Sequence, residues 1–584
     1  MPHPHEHRTW EDIAARKQQE RLTRIPAQWR LQPSQIASCN DASVLDAPRR
    51  LDLLTDAERS ITEKYSATGL LQELRSRNLQ CIDVVRAFCK RAAIAQQLVN
   101  CCTEILFDDA LARAAELDRY LERTGKTVGP LHGLPISVKD CFKIKGYDAS
   151  VGIANLCFQP AQAHSALIEQ LLSLGAVIFV KTNVPATMMA LDSHNNVFGR
   201  TLNPANRLLT AGGSSGGEGA LIAMRGSILG IGTDVGGSIR IPAACNDLWG
   251  IKPSHGRVPY SGQESGQKPG SSKLAVEATA GPIATNLGDC ELLLRAIADG
   301  TPQEYDVEVI PQDWSRQICL NTAGRKLRVG LIGTDGICPP LPVIDRLLED
   351  VKKTIQSSKC GVEVIEVNAA PILSKVLKVF NGLVSIDGAN AWFDHLERTG
   401  EPLSPWLQGR LKRRPQKSTD EIRALQAQKS ELQTAFDKVW REDGGCWLTA
   451  DGNESERGRT LDVLIMPVAP HPILPIDRWN TVNYTGALNL LDLPAGVLPV
   501  RNVVREDLAG DVPSSPPLNA WDKINREHWT KVDRNIYLNS PLSVQVITPR
   551  LTERKLIEAM AILDEALRPL RSTTTDQRGS SSKL

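Results

Sequence analysis

A lysine at the end of an apolar stretch and two serines set among glycines are the residues whose types and spacing offer chemistry. Lys139 closes the run GLPISVK and is followed by Asp140; Ser214 lies in GGSSGGEGA and Ser238 in GTDVGGSIR. A lysine among apolar neighbours is driven toward its neutral amine, because burial disfavours the charged form. Its free pKa of about 10.4 must fall substantially before the amine can act as a base near neutral pH. A neutral amine can take a proton from a serine. Ser238 follows Gly236 and Gly237, which leave backbone N–H groups bare, and such donors hold the oxyanion of an attacked carbonyl. Ser214 can stand between Lys139 and Ser238 and pass the proton along.

Other readings of the glycine clusters compete. A flexible linker stays polar on both sides, yet the apolar EGALIAMRGSILGI separates these clusters and IPAA follows the second. The glycines therefore belong where something approaches the backbone closely. Phosphate binding fits poorly: no lysine follows the first cluster as a P-loop requires, and Gly230, Gly232 and Gly236 are one residue too long for a dinucleotide fingerprint. A nucleophile elbow around Ser214 or Ser215 satisfies G-x-S-x-G. As a Ser-His-Asp esterase it would need a later histidine, and His255, His395, His471 and His528 sit in no recognisable context. Taken singly, each residue also has a bland role. Lys139 would snorkel to solvent, Ser214 would sit in a turn, Ser238 would cap a helix, and Asp234 with Arg240 would be a surface ion pair.

The elements around these residues predict an α/β protein. Apolar residues at three- and four-residue spacing predict helices at 12–22, 68–79, 82–98, 109–123, 166–174, 343–355 and 553–567. Short apolar runs at 136–138, 177–180, 228–231, 327–332, 362–367 and 463–466 read as buried strands. Strands alternating with helices predict a largely parallel or mixed central sheet. No boundary divides the middle, so the expectation is an N-terminal helical arm (1–60), one large domain (61–570) and a disordered tail (571–584). Segments 261–272 and 505–517 read as surface excursions.

The chain has 584 residues, 41% hydrophobic and 23% charged, with net charge +1. No basic stripe suggests nucleic acid, and no run approaches 18 apolar residues, so no membrane span is expected. Thirteen cysteines without a C-x-x-C pair, and no apolar leader, predict an intracellular protein with reduced thiols. His3, His5 and His7 read as a solvated tail, and no metal-ligand cluster or cofactor motif is found.

Together, these motifs resemble the amidase signature family. The two glycine–serine segments match its hallmark almost residue for residue, and LHGLPISVKD matches its lysine segment. FCKRAAIAQQLVN, KTNVPATMM, PSHGRVPY, LDVLIMPVAP and PLSVQVI read like fungal acetamidase-type members. A likeness to fatty acid amide hydrolase belongs to the same pattern. The resemblance implies a mixed, twisted sheet covered by helices on both faces. It implies a Ser–cis-Ser–Lys triad, with Ser238 as nucleophile, Ser214 as the bridging serine in a cis peptide and Lys139 as base. Val235, Gly236, Gly237 and Ser238 would supply oxyanion N–H groups, Met188 would line the pocket, and Ser215, Asp234 and Arg240 would support the loop. His132 and His255 adjoin the motifs but have no role in such a mechanism. The implied activity is cofactor-free hydrolysis of carboxylic amides through an acyl-enzyme, small aliphatic amides such as acetamide being favoured. Arylamides, indole acetamide, carbamates and fatty amides stay open as substrates, as do an esterase activity, a homodimer and a binding protein that lost turnover. The segment LLT (208–210) replaces a more polar lead-in, so the substrate mouth is where this chain departs from the pattern.

The final residues Ser582, Lys583 and Leu584 match the peroxisomal address S-K-L, with the cytoplasm as the alternative. The same string at 272–274 has no address value. A fluorescent protein ending in residues 571–584 is expected to give punctate signal in a fungal cell, turning diffuse when Leu584 is deleted. Diffuse signal from both fusions marks the ending as accidental.

Overall fold

Strand-forming runs, most of them largely buried, organise the chain. The computed structural model describes residues 9–268, 270–322, 324–448, 459–478 and 481–580, apart from the side chains of 272 and 572–580. His3, His5 and His7, and Ser582 to Leu584, lie outside the described residues. The strands of the central sheet are β1 (Cys102–Ile105), β2 (Pro135–Lys139), β3 (Val177–Thr182), β4 (Leu229–Asp234), β5 (Trp249–Lys252), β6 (Thr279–Ala284), β7 (Leu327–Leu331), β8 (Val362–Val367), β9 (Trp447–Leu448), β10 (Val463–Pro467), β11 (Ala495–Asn502) and β12 (Pro541–Ile547), besides a separate short hairpin of His194–Asn195 and Gly199–Arg200. They form one twelve-stranded sheet in the order β1-β3-β2-β4-β6-β5-β11-β12-β10-β7-β8-β9.

The sheet is mixed. β2 runs parallel to β3 and β4, and β7 runs parallel to β8 and β10, while the remaining pairs are antiparallel. Every residue of β2, β3, β4, β6, β10 and β12 is buried. Strands buried on alternate as well as successive residues are covered on both faces, as helices here do. The core is continuous from the N-terminal helices to the last helix, making one large α/β domain.

Helix Cys81–Val99 shows how the pattern works locally. Val84, Val85, Phe88, Ala92 and Ala95 recur on one face and are fully buried, and each large one contributes roughly 1.5–3 kcal/mol on leaving water. Asn100 ends it in the left-handed region (φ 54°), a conformation Asn tolerates. The first helix, Trp10–Thr23, is capped by Thr9 and docks through Lys17, whose Nζ lies 2.6 Å from Glu104 and 2.7 Å from Asp148.

Predicted elements recur with shifted ends. The 228–231 run becomes β4, three residues longer toward its carboxyl end. The 68–79 helix is Ala67–Arg75, capped by Ser66, and 343–355 is Pro342–Ser357. The last helix extends past 567 to Ser580. A turn of helix at Ser271–Leu274 closes the first excursion, and one of 3₁₀ helix at Arg505–Leu508 opens the second. All thirteen cysteines are free thiols.

Candidate active site

Parallel neighbours place the site. Ser137 and Val138 of β2 pair with Gly230 and Ile231 of β4, so the next residues along, Lys139 and Thr233–Asp234, emerge together at the carboxyl ends of adjacent strands. That edge is where open α/β sheets bind ligands.

Lys139 is 1% exposed. Its Nζ lies 2.7 Å from Ser214 Oγ, 2.7 Å from Thr233 Oγ1 and 3.4 Å from Thr233 O. Burial lowers its pKa to about 8, against the upward pull of Cys141, Asp234, Glu218 and Asp140. Ser214 follows a cis peptide bond from Gly213 and is 2% exposed. Ser215 N–H donates to Ser238 O (3.2 Å), joining the two glycine clusters.

The first cluster is rigid packing. A Cβ on Gly217 would stand 2.3 Å from Asn183 N, so only glycine lets these segments touch. In the second, Gly237 has φ +124°, and a Cβ there would meet Thr485 Oγ1 at 2.4 Å.

Asp234 and Arg240 are fully buried, not the surface pair that either would suggest alone. Arg240 Nε and Nη2 donate to the two Asp234 oxygens at 3.1 Å each. The same guanidinium reaches Gln545 Oε1, Thr485 O and Asn489 Oδ1. Burial pushes the Asp234 carboxyl up, but the charge and hydrogen bonds of Arg240 outweigh it and hold the group well below the usual carboxylate range. Asp234 also accepts Gly237 N–H (2.7 Å) and Ile239 N–H (3.1 Å).

The bond from Gly237 corrects the expectation for the loop. Gly237 N–H, predicted as an oxyanion donor, is committed to Asp234, because the aspartate side chain turns back onto the amide three residues on. The N–H groups of Val235, Gly236 and Ser238 have no hydrogen-bond partner among the described residues. Ser238 Oγ likewise has none there, so Ser214 and Ser238 are not directly bonded through their hydroxyls. Met188, half-buried at the end of the turn Ala186–Met188, packs on the main core and carries no bond to the Lys139–Ser214 pair. His132 accepts Val128 N–H and His255 N–H donates to Asp492, both as scaffold.

Sequence reasoning missed Thr233, Glu218, Thr485, Asn489 and Gln545. Thr485 Oγ1 donates to Gly236 O (2.6 Å) and Asn489 Nδ2 to Asp234 Oδ1 (2.9 Å). Only Gln545 carried a signal: a lone amide in the apolar strand PLSVQVI. Among the described residues no group of three or more His, Cys, Asp or Glu could hold a metal ion, and no helix is long and apolar enough to cross a membrane.

The Amidase family model matches residues 83–557. The chain belongs to the amidase family. This amidase is 37% identical to an acetamidase of Aspergillus oryzae over 94% of its own length and 97% of the relative's. It is 34% identical to an acetamidase of Emericella nidulans over 97% and 99%. Among solved structures, a fatty acid amide hydrolase superposes with TM-score 0.83 at 28% identity, covering 96% of this amidase and 97% of that chain. It is therefore an enzyme hydrolysing amides, and the expected architecture agrees with that of its solved relative.

Proposed function

We propose that this amidase cleaves the C–N bond of small aliphatic amides through an acyl-enzyme on Ser238. The observation that carries the reading is the buried Lys139 amine 2.7 Å from Ser214 Oγ, beside a loop with three unspent N–H groups. Neutral Lys139 accepts the Ser214 proton as Ser214 accepts that of Ser238, whose Oγ attacks the carbonyl. The Ser238 hydroxyl turns toward Ser214 when substrate arrives, since catalytic hydrogen bonds commonly tighten only in the complex. Val235, Gly236 and Ser238 N–H groups hold the oxyanion. The relay returns the proton to the leaving amine or ammonia, and water, deprotonated through the same relay, releases the carboxylate.

Acetamide and its short homologues are the favoured substrates, by likeness to the two acetamidases. A screen across acyl chain length tests this: kcat/KM falling with chain length supports it, and a maximum at long chains overturns it.

The base also sets a pH dependence. Protonated Lys139 cannot accept a proton, so kcat/KM is expected to rise with pH and level off above about 8. Below that midpoint it falls about tenfold per unit. A profile flat from pH 6 to 9 would rule Lys139 out as base. Import directed by Ser582-Lys583-Leu584 remains a proposal on the fusion test above.

A further inference from the structure

Glu218 lies in the first turn of helix Gly216–Ala223 and is fully buried. Its carboxyl is wedged against the sheet beside Lys139. Oε2 lies 2.6 Å from Ser137 Oγ, and Oε1 lies 2.7 Å from Thr182 Oγ1. Ser137 shares a face of β2 with Lys139, two residues on, and Thr182 of β3 is the register partner of Lys139. The sheet makes room for the carboxyl: a Cβ on Gly230 would stand 1.9 Å from Oε2.

Counting protons decides the state of this group. Ser137 Oγ lies 2.6 Å from Glu218 Oε2 and 2.9 Å from Ser227 Oγ, and Ser227 Oγ lies 2.9 Å from Leu229 O. Each hydroxyl has one proton to give. Leu229 O can only accept, so the Ser227 proton goes there. Ser137 must then give its proton to Ser227. The contact between Ser137 and Glu218 is left with no proton unless the carboxyl brings one. An ionised carboxylate would leave one of the three contacts as lone pair against lone pair in a buried site, which is costly.

We infer that Glu218 is an uncharged carboxylic acid in the working enzyme, held so by the chain Ser137–Ser227–Leu229, and that it thereby keeps negative charge away from Lys139 and the lysine neutral. Glu218 is a positioning residue: it touches no substrate and acts through the base. Burial pushes its carboxyl up to about 7, against the lowering pull of Ser137, Thr182 and Lys139. When Lys139 is neutral that last pull vanishes, so the two uncharged states support each other. The Cys102 thiol on β1, pushed up mainly by burial and by Cys101, also feels Glu218, and Cys141, Asp234 and Asp140 act on Lys139 besides Glu218.

The inference rests on Lys139 as base, and its test separates the two. Infrared difference spectra between wild type and Glu218→Gln at about pH 8.5, on the active plateau, should show a protonated-carboxyl C=O stretch lost in the variant; a carboxylate band lost instead overturns the inference. Gln supplies the same pattern as the acid, an N–H to Ser137 and a C=O to Thr182. The acid limb of kcat/KM should therefore stay in place, whereas a shift of about one unit to lower pH would mean that a negative charge had been removed. Ser227→Ala frees the Ser137 proton for Glu218 and favours the carboxylate. The limb should move up by about one unit, with about a tenfold loss below it, and Ser227→Ala/Glu218→Gln should restore it. A limb that Ser227→Ala leaves in place overturns the inference even where the Gln variant fails to fold. The infrared arm is independent of the base, so a protonated carboxyl together with a flat pH profile refutes the role of Lys139 instead.

Discussion

Ser238→Ala is expected to lower kcat by about ten-thousandfold or more, with amide binding largely kept. Removing a nucleophile abolishes the covalent route and leaves only the contributions of oxyanion donors and substrate binding. Ser238 is 5% exposed, and alanine there leaves Asp234, its bonds to Gly237 and Ile239, and the loop backbone intact. Stability should therefore change little while turnover disappears. Mass spectrometry after a fluorophosphonate should find the label on Ser238 and none in the variant. Ser214→Ala should also be crippled, but it should still acylate slowly with an activated ester, whose leaving group needs no proton. The two losses will not add, because both residues serve one proton path. A label on Ser214 or Ser215 would reinstate the nucleophile elbow.

Arg240→Met is expected to cost about 3–5 kcal/mol of stability. Asp234 and Arg240 are both fully buried, and removing the cation leaves a carboxylate with no opposite charge in direct contact. Gln545, Asn489 and the Thr485 carbonyl lose a donor at the same time. The denaturation midpoint should fall, and activity should fall further than stability, because the nucleophile loop is braced by this pair. The deficit should grow as pH rises from acid to neutral, since below its pKa the stranded Asp234 takes up a proton and the penalty shrinks. Asp234→Asn/Arg240→Met should recover part of the stability, as buried pairs replaced together often do. A single variant as stable as wild type would show that other donors suffice for Asp234.

Much of this was legible before any fold was seen. Lys139, Ser214 and Ser238 stand out because an unusual residue interrupts a predictable background: a lysine at the end of a strand, serines among glycines flanked by apolar runs. Such interruptions are cheap to read because local chemistry alone makes them odd. Some long amphipathic helices, such as Cys81–Val99, were equally plain, since their period is written within one segment, but Ala370–Val384 and Thr419–Asp437 went unread.

Strands were harder. β1, β5, β6, β9, β11 and β12 went unrecognised as elements, and β6 (TAGPIA) shows why. Its Gly281 and Pro282 contradict strand propensity, yet Pro282 pairs with Ile231, because neighbouring strands decide what an individual segment can bear. The spent Gly237 N–H was likewise out of reach. Val235, Gly236, Gly237 and Ser238 look alike as donors until the rotamer of Asp234 is known.

By itself, then, the sequence determined the chemistry available to this protein, an amine and two hydroxyls beside bare backbone donors, together with the alternation of strands and helices that carries them. Tertiary structure alone decided what state those groups occupy. Thr485, Asn489 and Gln545 reach the Asp234–Arg240 brace from 245 to 305 residues away along the chain. Thr182 and Ser137 meet Glu218 only because three parallel strands lie side by side. Charge, protonation and donor availability depend on burial and on partners in space, and neither is a property of a residue's place in the sequence.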